Sequence, residues 1–216
     1  MLGTGLASYR AGTPIDSQIR SAVDVLRHGG VIAVPTDTLY GLAASALNPG
    51  AVARLYAIKG RPSAMALPVL LAEVSEIPKY VADVPDLARK LAEEFLPGPL
   101  TIVLRRGAAI PDVVTGGQDT VGVRVPDHPV PRQIVRLLGG PITGTSANRS
   151  GKPGLTTADA VRRELGTDVD YIVDGGECEG GVPSTVIDVS TVPPRLVREG
   201  AVSREEIERI CGMKVL

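Results

Sequence analysis

The stretch VIAVPTDTLYGL, residues 31–42, decides the fold. Its first four residues are β-branched or small and apolar, which predicts a buried strand over 31–34. Pro35 then breaks the strand, and two threonines around Asp37 form a polar turn that ends at Gly41. Ligands of open α/β sheets bind where strands end, so this turn predicts one border of a ligand site. We expect Asp37 to orient the turn by accepting backbone N–H bonds.

Helical and strand patterns alternate along the rest of the chain. Apolar residues at helical spacing predict helices over 16–28, 49–59, 85–95, 129–138 and 157–165, and a last helix after Ser203. Short apolar runs predict strands over 31–34, 43–47, 67–72, 100–104, 120–125, 141–145, 171–173, 186–189 and 195–197. Pro68 should place its strand at a sheet edge. The order predicts a single α/β domain, residues 1–216, with a twisted sheet of mixed parallel and antiparallel strands flanked by helices.

Composition excludes several classes of protein. The 216 residues are 44% hydrophobic and 22% charged, which is typical of a globular domain with a real core. A net charge of −1 means that any anion site must be local, and 3% aromatic residues argue against base stacking on single strands. Neither a targeting segment at residues 1–12 nor a membrane span is expected. Cys178 and Cys211 have no metal-ligand spacing and indicate reduced thiols in the cytoplasm.

Two cations follow the second predicted helix, where Lys59 and Arg61 flank Gly60. Cations beside a glycine suit a polyphosphate, because the backbone can approach closely. They also complement the dipole of a helix C-terminus, and taken alone this interpretation is the stronger one. Arg124 presents a similar choice: strand alternation places it with Gly122, opposite the neighbouring valines, so it faces either solvent or a cleft.

Further hydroxyl, amide and cationic groups lie at other strand ends. Residues 146–151 follow a predicted strand and can offer donors to phosphates, although a Walker loop is absent and such a stretch alone is more often a plain turn. The whole polar set comprises Thr36, Thr38, Lys59, Arg61, Arg124, Ser146, Asn148, Ser184 and Arg198. No nucleophile–base signature or zinc-type cluster accompanies it. Such a set suits nucleotide polyphosphates, where catalysis is mostly positioning and charge neutralisation.

Eight segments occur in a fixed order between the first helix and Gly200: PTDTLYGL, KGRP, PGPLT, VGVRVPDH, TSANRSG, DGG, PSTVID and REG. Together they make the chain resemble the YrdC-like threonylcarbamoyl-AMP synthases, in their short single-domain form. The resemblance implies the YrdC-like fold with a deep positive cleft. It also implies that L-threonine, bicarbonate and ATP, with Mg²⁺, give threonylcarbamoyl-AMP and pyrophosphate. That adenylate serves tRNA threonylcarbamoyladenosine modification in the cytoplasm, and partner proteins perform the transfer.

The resemblance also implies roles for individual residues. Lys59 and Arg61 would be catalytic and hold ATP phosphates. The threonine-binding residues would be Thr38, Arg124, Gly144 and Ser184. The nucleotide-binding residues would be Lys59, Arg61, Thr120, Ser146, Asn148, Gly154 and Arg198. No residue is expected to bind a metal directly.

Two positions depart from the family pattern after KGRP. Met65 stands where a polar nucleotide contact is common, and Leu70 stands where a histidine is common. A second hypothesis from another class is a factor that binds double-stranded RNA or tRNA and has no adenylating activity. A requirement of pyrophosphate release for threonine and bicarbonate together with ATP distinguishes the two.

Overall fold

The computed structural model describes residues 12–216. The first eleven residues, which include most of the segment expected to lack a targeting signal, lie outside this range. The α-helices of the described range are α1 (Ile15–Arg27), α2 (Pro49–Lys59), α3 (Asp86–Phe95), α4 (Asp112–Thr115), α5 (Pro129–Leu138), α6 (Ala158–Leu165) and α7 (Arg204–Cys211). Short 3₁₀ helices cover Val74–Lys79 and Gly166–Asp168. Among the helices of residues 12–216, none is long and apolar enough to cross a bilayer.

The strands form two sheets of mixed parallel and antiparallel pairing. They are β1 (Ile32–Val34), β2 (Gly41–Ala43), β3 (Val69–Leu70), β4 (Leu100–Arg105), β5 (Thr120–Arg124), β6 (Ile142–Thr143), β7 (Thr145–Ser146), β8 (Tyr171–Ile172), β9 (Thr185–Asp188) and β10 (Arg195–Arg198). The smaller sheet has the order β7-β2-β1-β8, and the larger one has the order β10-β9-β4-β5-β3-β6. Mixed pairing and flanking helices were predicted and are confirmed. The division into two sheets was not predicted; the chain crosses between them at Gly144, between β6 and β7.

The prediction that Pro68 marks an edge strand is wrong. The strand β3 begins only at Val69 and lies between β5 and β6. Pro68 precedes the strand, so the ladder does not need its missing N–H. Its carbonyl accepts a hydrogen bond of 2.8 Å from the Gly144 N–H. The proline therefore sits at the crossing between the sheets.

Two hydrophobic clusters hold the layers together. The smaller cluster packs Ile19 and Leu26 of α1, with Ile134 of α5, against β1. The larger one includes residues of both sheets and of α2, α3, α6 and α7. Each fully buried leucine or isoleucine contributes about 1.5–3 kcal/mol to stability relative to exposure. The strand end that carries the polar turn is thus fixed by α1 and α5 on its outer face.

Alternation along the large sheet separates core from cavity. On β4 and β9, Leu100, Ile102, Leu104 and Ile187 are fully buried in the core. The alternate residues of the same sheet face the other way and line a cavity: Thr101, Val103, Thr120, Gly122, Arg124, Val186 and Asp188. Because successive side chains of a strand point to opposite faces, the core residues also fix which polar residues meet in the cavity. The alternation predicted for Arg124 and Gly122 is confirmed.

Candidate functional site

A cavity of about 740 Å³ lies between the large sheet and the turn that follows β1. Eight of the eleven residues predicted for the site line it: Thr38, Arg61, Thr120, Arg124, Gly144, Ser146, Ser184 and Arg198. Lys59, Asn148 and Gly154 do not line it. The sheet topology therefore gathers most of a set that is scattered over 160 sequence positions between Thr38 and Arg198.

Positive charge dominates the cavity wall. The charged lining residues within the described part of the chain are the arginines 61, 124, 195 and 198 and a single carboxylate, Asp188. Burial lowers the pKa of Arg198, and the charges of Arg124 and Arg61 lower it further. The charges of these cations therefore act on one another across the cavity, and a bound anion would relieve their repulsion.

The turn after β1 is organised by the Thr36 hydroxyl. This hydroxyl donates to the Leu39 carbonyl over 2.6 Å. It accepts the backbone N–H groups of Thr38 (3.1 Å) and Leu39 (3.2 Å). The expectation that Asp37 accepts these N–H bonds is therefore wrong. A threonine hydroxyl can donate and accept at once, so it closes the turn alone and leaves the neighbouring carboxylate available for a distant partner.

That distant partner is Arg124, which is 7% exposed. Its Nη2 donates to Asp37 Oδ1 over 2.7 Å, and its Nε donates to the Gly98 carbonyl over 3.0 Å. Both Nη atoms also donate to the Thr38 hydroxyl over 3.2 Å. These four bonds use four of the five guanidinium N–H groups, so one N–H on Nη1 is left for a ligand. Burial lowers the pKa of Arg124, and Asp37 opposes that effect.

The Thr38 hydroxyl lies 3.0 Å from the Thr36 hydroxyl. The two hydroxyls are thus in contact, and the lone pairs of Thr38 accept from both Nη atoms of Arg124. In this arrangement its hydroxyl holds the guanidinium in place at the cavity wall.

Ser184 and Arg198 form a second polar cluster on the wall of the same cavity. The Ser184 hydroxyl lies 3.0 Å from that of Thr101, and Arg198 donates to the Ser184 carbonyl from Nε (3.1 Å) and Nη2 (2.7 Å). A register shift between Leu196 and Arg198 makes Val197 an extra residue in β10. Such a bulge re-aims the side chains that follow it. It places both Val197 and Arg198 on the cavity wall.

Arg61 reaches the cavity from the end of α2. The helix begins at Asn48, whose side chain accepts the Ala51 N–H, and ends at Gly60 with a φ of 61°, as the sequence predicted. Arg61 donates from Nη2 to the Ala66 carbonyl over 3.0 Å, while its buried Nε has no hydrogen-bond partner among residues 12–216. Burial lowers its pKa. A buried donor without a partner is costly, and a ligand oxygen would satisfy it.

Lys59 lies behind the wall, and only 3% of it is exposed. Its ammonium donates to the carbonyls of Ser146 (2.6 Å) and Asn148 (2.9 Å). The Asn148 amide in turn donates to the carbonyls of Arg149 and Lys152. Burial, followed by the charge of Arg61, lowers the pKa of Lys59 from 10.5 to about 8. Lys59 and Asn148 therefore fix residues 146–152, a segment we call the phosphate loop because its sequence predicts donors to phosphate.

The two predicted glycines leave room for leucines. A Cβ on Gly144 would lie 2.6 Å from Leu70 Cγ, and a Cβ on Gly154 would lie 2.5 Å from Leu39 Cδ1. Both leucines line the cavity. Met65 also lines it, with half of its surface exposed. The two departures from the family pattern, Met65 and Leu70, thus place apolar side chains on the wall.

Sequence reasoning missed several lining residues. Thr101, Asp188 and Arg195 were not proposed for the site, although all three line the cavity. Alternation within the predicted strands over 100–104 and 186–189 was the available signal, since it sets Thr101 and Asp188 opposite core residues. The pairing of Asp37 with Arg124 had no sequence signal, because the two residues are 87 positions apart.

Comparisons with known proteins show the family to which the chain belongs. A Threonylcarbamoyl-AMP synthase of Pyrococcus abyssi is 43% identical over 195 residues, which cover 90% of this chain and 57% of the relative. One of Bacillus subtilis is 41% identical over 198 residues, which cover 91% of this chain and 57% of the relative. A crystal structure of P. abyssi Sua5 complexed with L-threonine superposes with a TM-score of 0.88 at 42% identity, covering 92% of this chain and 58% of that one.

The chain thus spans little more than half the length of these relatives. The Sua5/YciO/YrdC family model, described as "Telomere recombination", matches residues 24–200. This range contains the turn after β1, the phosphate loop and every cavity arginine named above. From the matched range and the identity to both synthases, the chain is a member of the Sua5/YciO/YrdC family.

Proposed function

We propose that this chain is an L-threonylcarbamoyladenylate synthase. It would form threonylcarbamoyl-AMP, pyrophosphate and water from L-threonine, bicarbonate and ATP. The observation that carries the proposal is one cavity lined by two kinds of cation. Arg124 lies beside hydroxyls and is paired with Asp37, whereas the described partners of Arg61 and Arg198 are neutral oxygens. The names of the relatives and the threonine complex of P. abyssi Sua5 support the choice of substrate.

The amino-acid end is built around Arg124. Its remaining Nη1 N–H would bind the threonine carboxylate, and the Ser184 hydroxyl would meet the polar end of the substrate. Thr38 borders this end and fixes the guanidinium. Gly144 lines the same cavity, and its missing side chain makes room for Leu70.

The nucleotide end is built around Arg61 and Arg198. Arg61 Nε and the free donors of both guanidinium groups would bind the phosphates. Ser146 and Thr120 line the same cavity and would help to place the nucleotide. Lys59 and Asn148 would act from behind by holding the phosphate loop, and Gly154 would support Leu39.

The chemistry needs positioning more than proton transfer. The threonine amine captures carbon dioxide or bicarbonate, and the resulting carbamate oxygen attacks the α-phosphorus of ATP. The bond between the α-phosphorus and the bridging oxygen breaks, and pyrophosphate leaves with the electron pair. Arg61, Arg198 and the charge of Lys59 would stabilise the negative charge that develops on the phosphates. The buried wall would keep water from the carbamate.

Mg²⁺ would enter with ATP. Within residues 12–216, no group of histidine, cysteine and acidic side chains is arranged to hold a metal ion. The cavity carboxylate Asp188 is bonded to the Ser190 amide and hydroxyl. The donor set therefore does not fit an ion held by the protein alone, and phosphate oxygens would be its main ligands.

The product would serve tRNA modification. We propose that the chain acts in the cytoplasm and passes its labile adenylate to transfer proteins that modify tRNA. The positive charge of the cavity would also favour an interaction with tRNA or double-stranded RNA. A factor that only binds RNA would not need a buried amino-acid end, so the synthase is the better supported hypothesis.

The test measures pyrophosphate release by the purified chain. Release should require L-threonine, bicarbonate and ATP together, and omission of any one should reduce it to background. Release that is absent, or indifferent to threonine, would contradict the synthase. Binding of double-stranded RNA without release would then favour the second hypothesis.

A further inference from the structure

The four arginines of the cavity differ in their acidic neighbours. Arg124 forms an ion pair of 2.7 Å with Asp37, and Arg195 lies 3.6 Å from Asp188. In the part of the chain that the structure describes, Arg61 and Arg198 form no ion pair and donate to neutral oxygens. Arg124 is therefore a neutralised cation, whereas Arg61 and Arg198 keep their full charge.

We infer that Asp37 is a specificity-determining residue that keeps polyphosphates away from the amino-acid end of the cavity. This inference rests on the proposed function for the assignment of the two ends. Coulomb repulsion grows with the charge of the ligand. The attraction of an unpaired Arg124 would likewise be much stronger for a phosphate chain of several negative charges than for a single carboxylate, and Asp37 cancels that attraction. The threonine carboxylate can still bind through the remaining Nη1 N–H of Arg124.

Burial makes this discrimination effective. The side chains of Arg124 and Asp37 are only 8% and 14% exposed, so solvent and salt screen their charges weakly. Within residues 12–216, the other Asp37 oxygen, Oδ2, is buried without a hydrogen-bond partner. Arg124 is therefore the cation that balances the Asp37 charge, and the pair as a whole attracts an entering anion only weakly.

The other contacts of Arg124 make Asp37 a clean position to change. The Gly98 carbonyl and the Thr38 hydroxyl hold the guanidinium from three nitrogens without help from Asp37. The substitution Asp37→Asn keeps an oxygen at the contact with Arg124 and removes the negative charge. The substitution should therefore alter the electrostatics of the amino-acid end while Arg124 stays in place.

Calorimetric titration with inorganic pyrophosphate and with L-threonine tests the inference. In the unmodified chain, we expect pyrophosphate to leave the affinity for threonine unchanged. In Asp37→Asn, pyrophosphate should bind at least tenfold more tightly and should compete with threonine. A pyrophosphate affinity within twofold of the unmodified chain, or a lower one, overturns the inference. If the unmodified chain does not bind threonine, the proposed function fails, while the pyrophosphate comparison still decides the role of Asp37.

Two further variants complete the test. Asp170→Asn makes the same change at a carboxylate that pairs with Arg54 and accepts the Val31 N–H at the opposite end of β1. It should leave pyrophosphate affinity unchanged, and an equal gain there would show a general charge effect and refute the inference. The double variant D37N/R124Q removes both charges and leaves no unpaired charge buried. It should therefore fold even if Asp37→Asn does not. It should bind pyrophosphate within twofold of the unmodified chain; a tenfold loss would show that Arg124 binds phosphate and would overturn the inference.

Discussion

Two polar segments follow strands of the small sheet, and they are held in different ways. The turn over residues 36–41 is closed from within, because the Thr36 hydroxyl bonds to groups two and three positions away. The phosphate loop is held from outside by Lys59, whose ammonium reaches carbonyls 87 and 89 positions further along the chain. The first segment closes through its own hydroxyl, whereas the second needs an ammonium from the end of α2 in addition to the internal bonds of Asn148. The effects of a substitution in the turn should thus remain local, whereas a substitution in α2 should weaken nucleotide binding.

The largest expected effect is that of Lys59→Met. It removes the ammonium that holds the phosphate loop, and we expect pyrophosphate release to fall on the order of 100-fold or more. The ATP affinity, measured by calorimetry, should fall with it. Lys152→Met is the matched control, since Lys152 lies on the same loop but is exposed and pairs with Glu164. Equal losses in the two variants would show that the support from Lys59 is not special.

Thr36→Val tests whether the turn is closed from within. The valine has the same shape but leaves the Leu39 carbonyl and two backbone N–H groups without their partner. Unfolding in urea should show a loss of about 1–3 kcal/mol, and the KM for threonine should rise while the KM for ATP changes little. Thr36→Ser keeps the hydroxyl and should behave like the unmodified chain. A rise in the KM for ATP as large as that for threonine would argue that the turn and the phosphate loop are one unit.

The low pKa of Lys59 predicts opposite effects of pH on binding and on stability. Its pKa of about 8 in the folded chain lies below the ordinary 10.5, so Lys59 loses its charge above pH 8. The ATP affinity should therefore weaken between pH 7 and pH 9. The unfolded chain binds this proton more tightly, so Lys59 contributes a rise in the free energy of unfolding between pH 8 and 10.5.

Calorimetry with ATP alone, together with urea unfolding across this range, checks both signs. In Lys59→Met the two pH dependences assigned to this lysine should disappear. An ATP affinity that weakens above pH 8 as much in Lys59→Met as in the unmodified chain would show that another group titrates.

The smallest expected effect is that of Leu70→His. Leu70 lines the cavity beside Gly144 and stands opposite Arg124 in the sheet register. We expect the KM for threonine to change by about two- to fivefold and the KM for ATP to stay constant, since one side chain in a pocket shifts discrimination modestly. Leu137→His, on the exposed face of α5, should change neither value. An unchanged KM for threonine in Leu70→His would place this leucine outside the amino-acid pocket.

The sequence was most informative where the physics is local. Asn48 and Gly60 marked both ends of α2 because caps and left-handed glycines act within a few residues. Alternation around Arg124 gave its direction for the same reason. Lys59 was expected among the phosphate ligands, yet in the structure it lies behind the cavity wall. Its depth depends on how α2 packs against the phosphate loop, and no pattern near Lys59 encodes that packing.

The partner of Asp37 was beyond sequence reasoning for a related reason. An aspartate in a turn usually bonds to the nearby backbone, and that rule predicted the wrong partner. Thr36 had already satisfied those N–H groups, and the fold brought Arg124 to the free carboxylate. The division of the strands into two sheets likewise depends on the crossing at Gly144. That crossing is fixed by a bond to Pro68, which lies far from Gly144 in the sequence.

The extra residue in β10 has a consequence for how the strand is counted. Positions 195 to 198 of this strand match positions 188 to 186 of β9, so four residues on one strand face three on the other. In a regular ladder Arg198 would stand opposite Thr185, on the side of the core. Val197 thus acts as an inserted residue that shifts the register of β10 by one position. The face on which this cation falls is set by the number of residues before it, and their chemistry matters less.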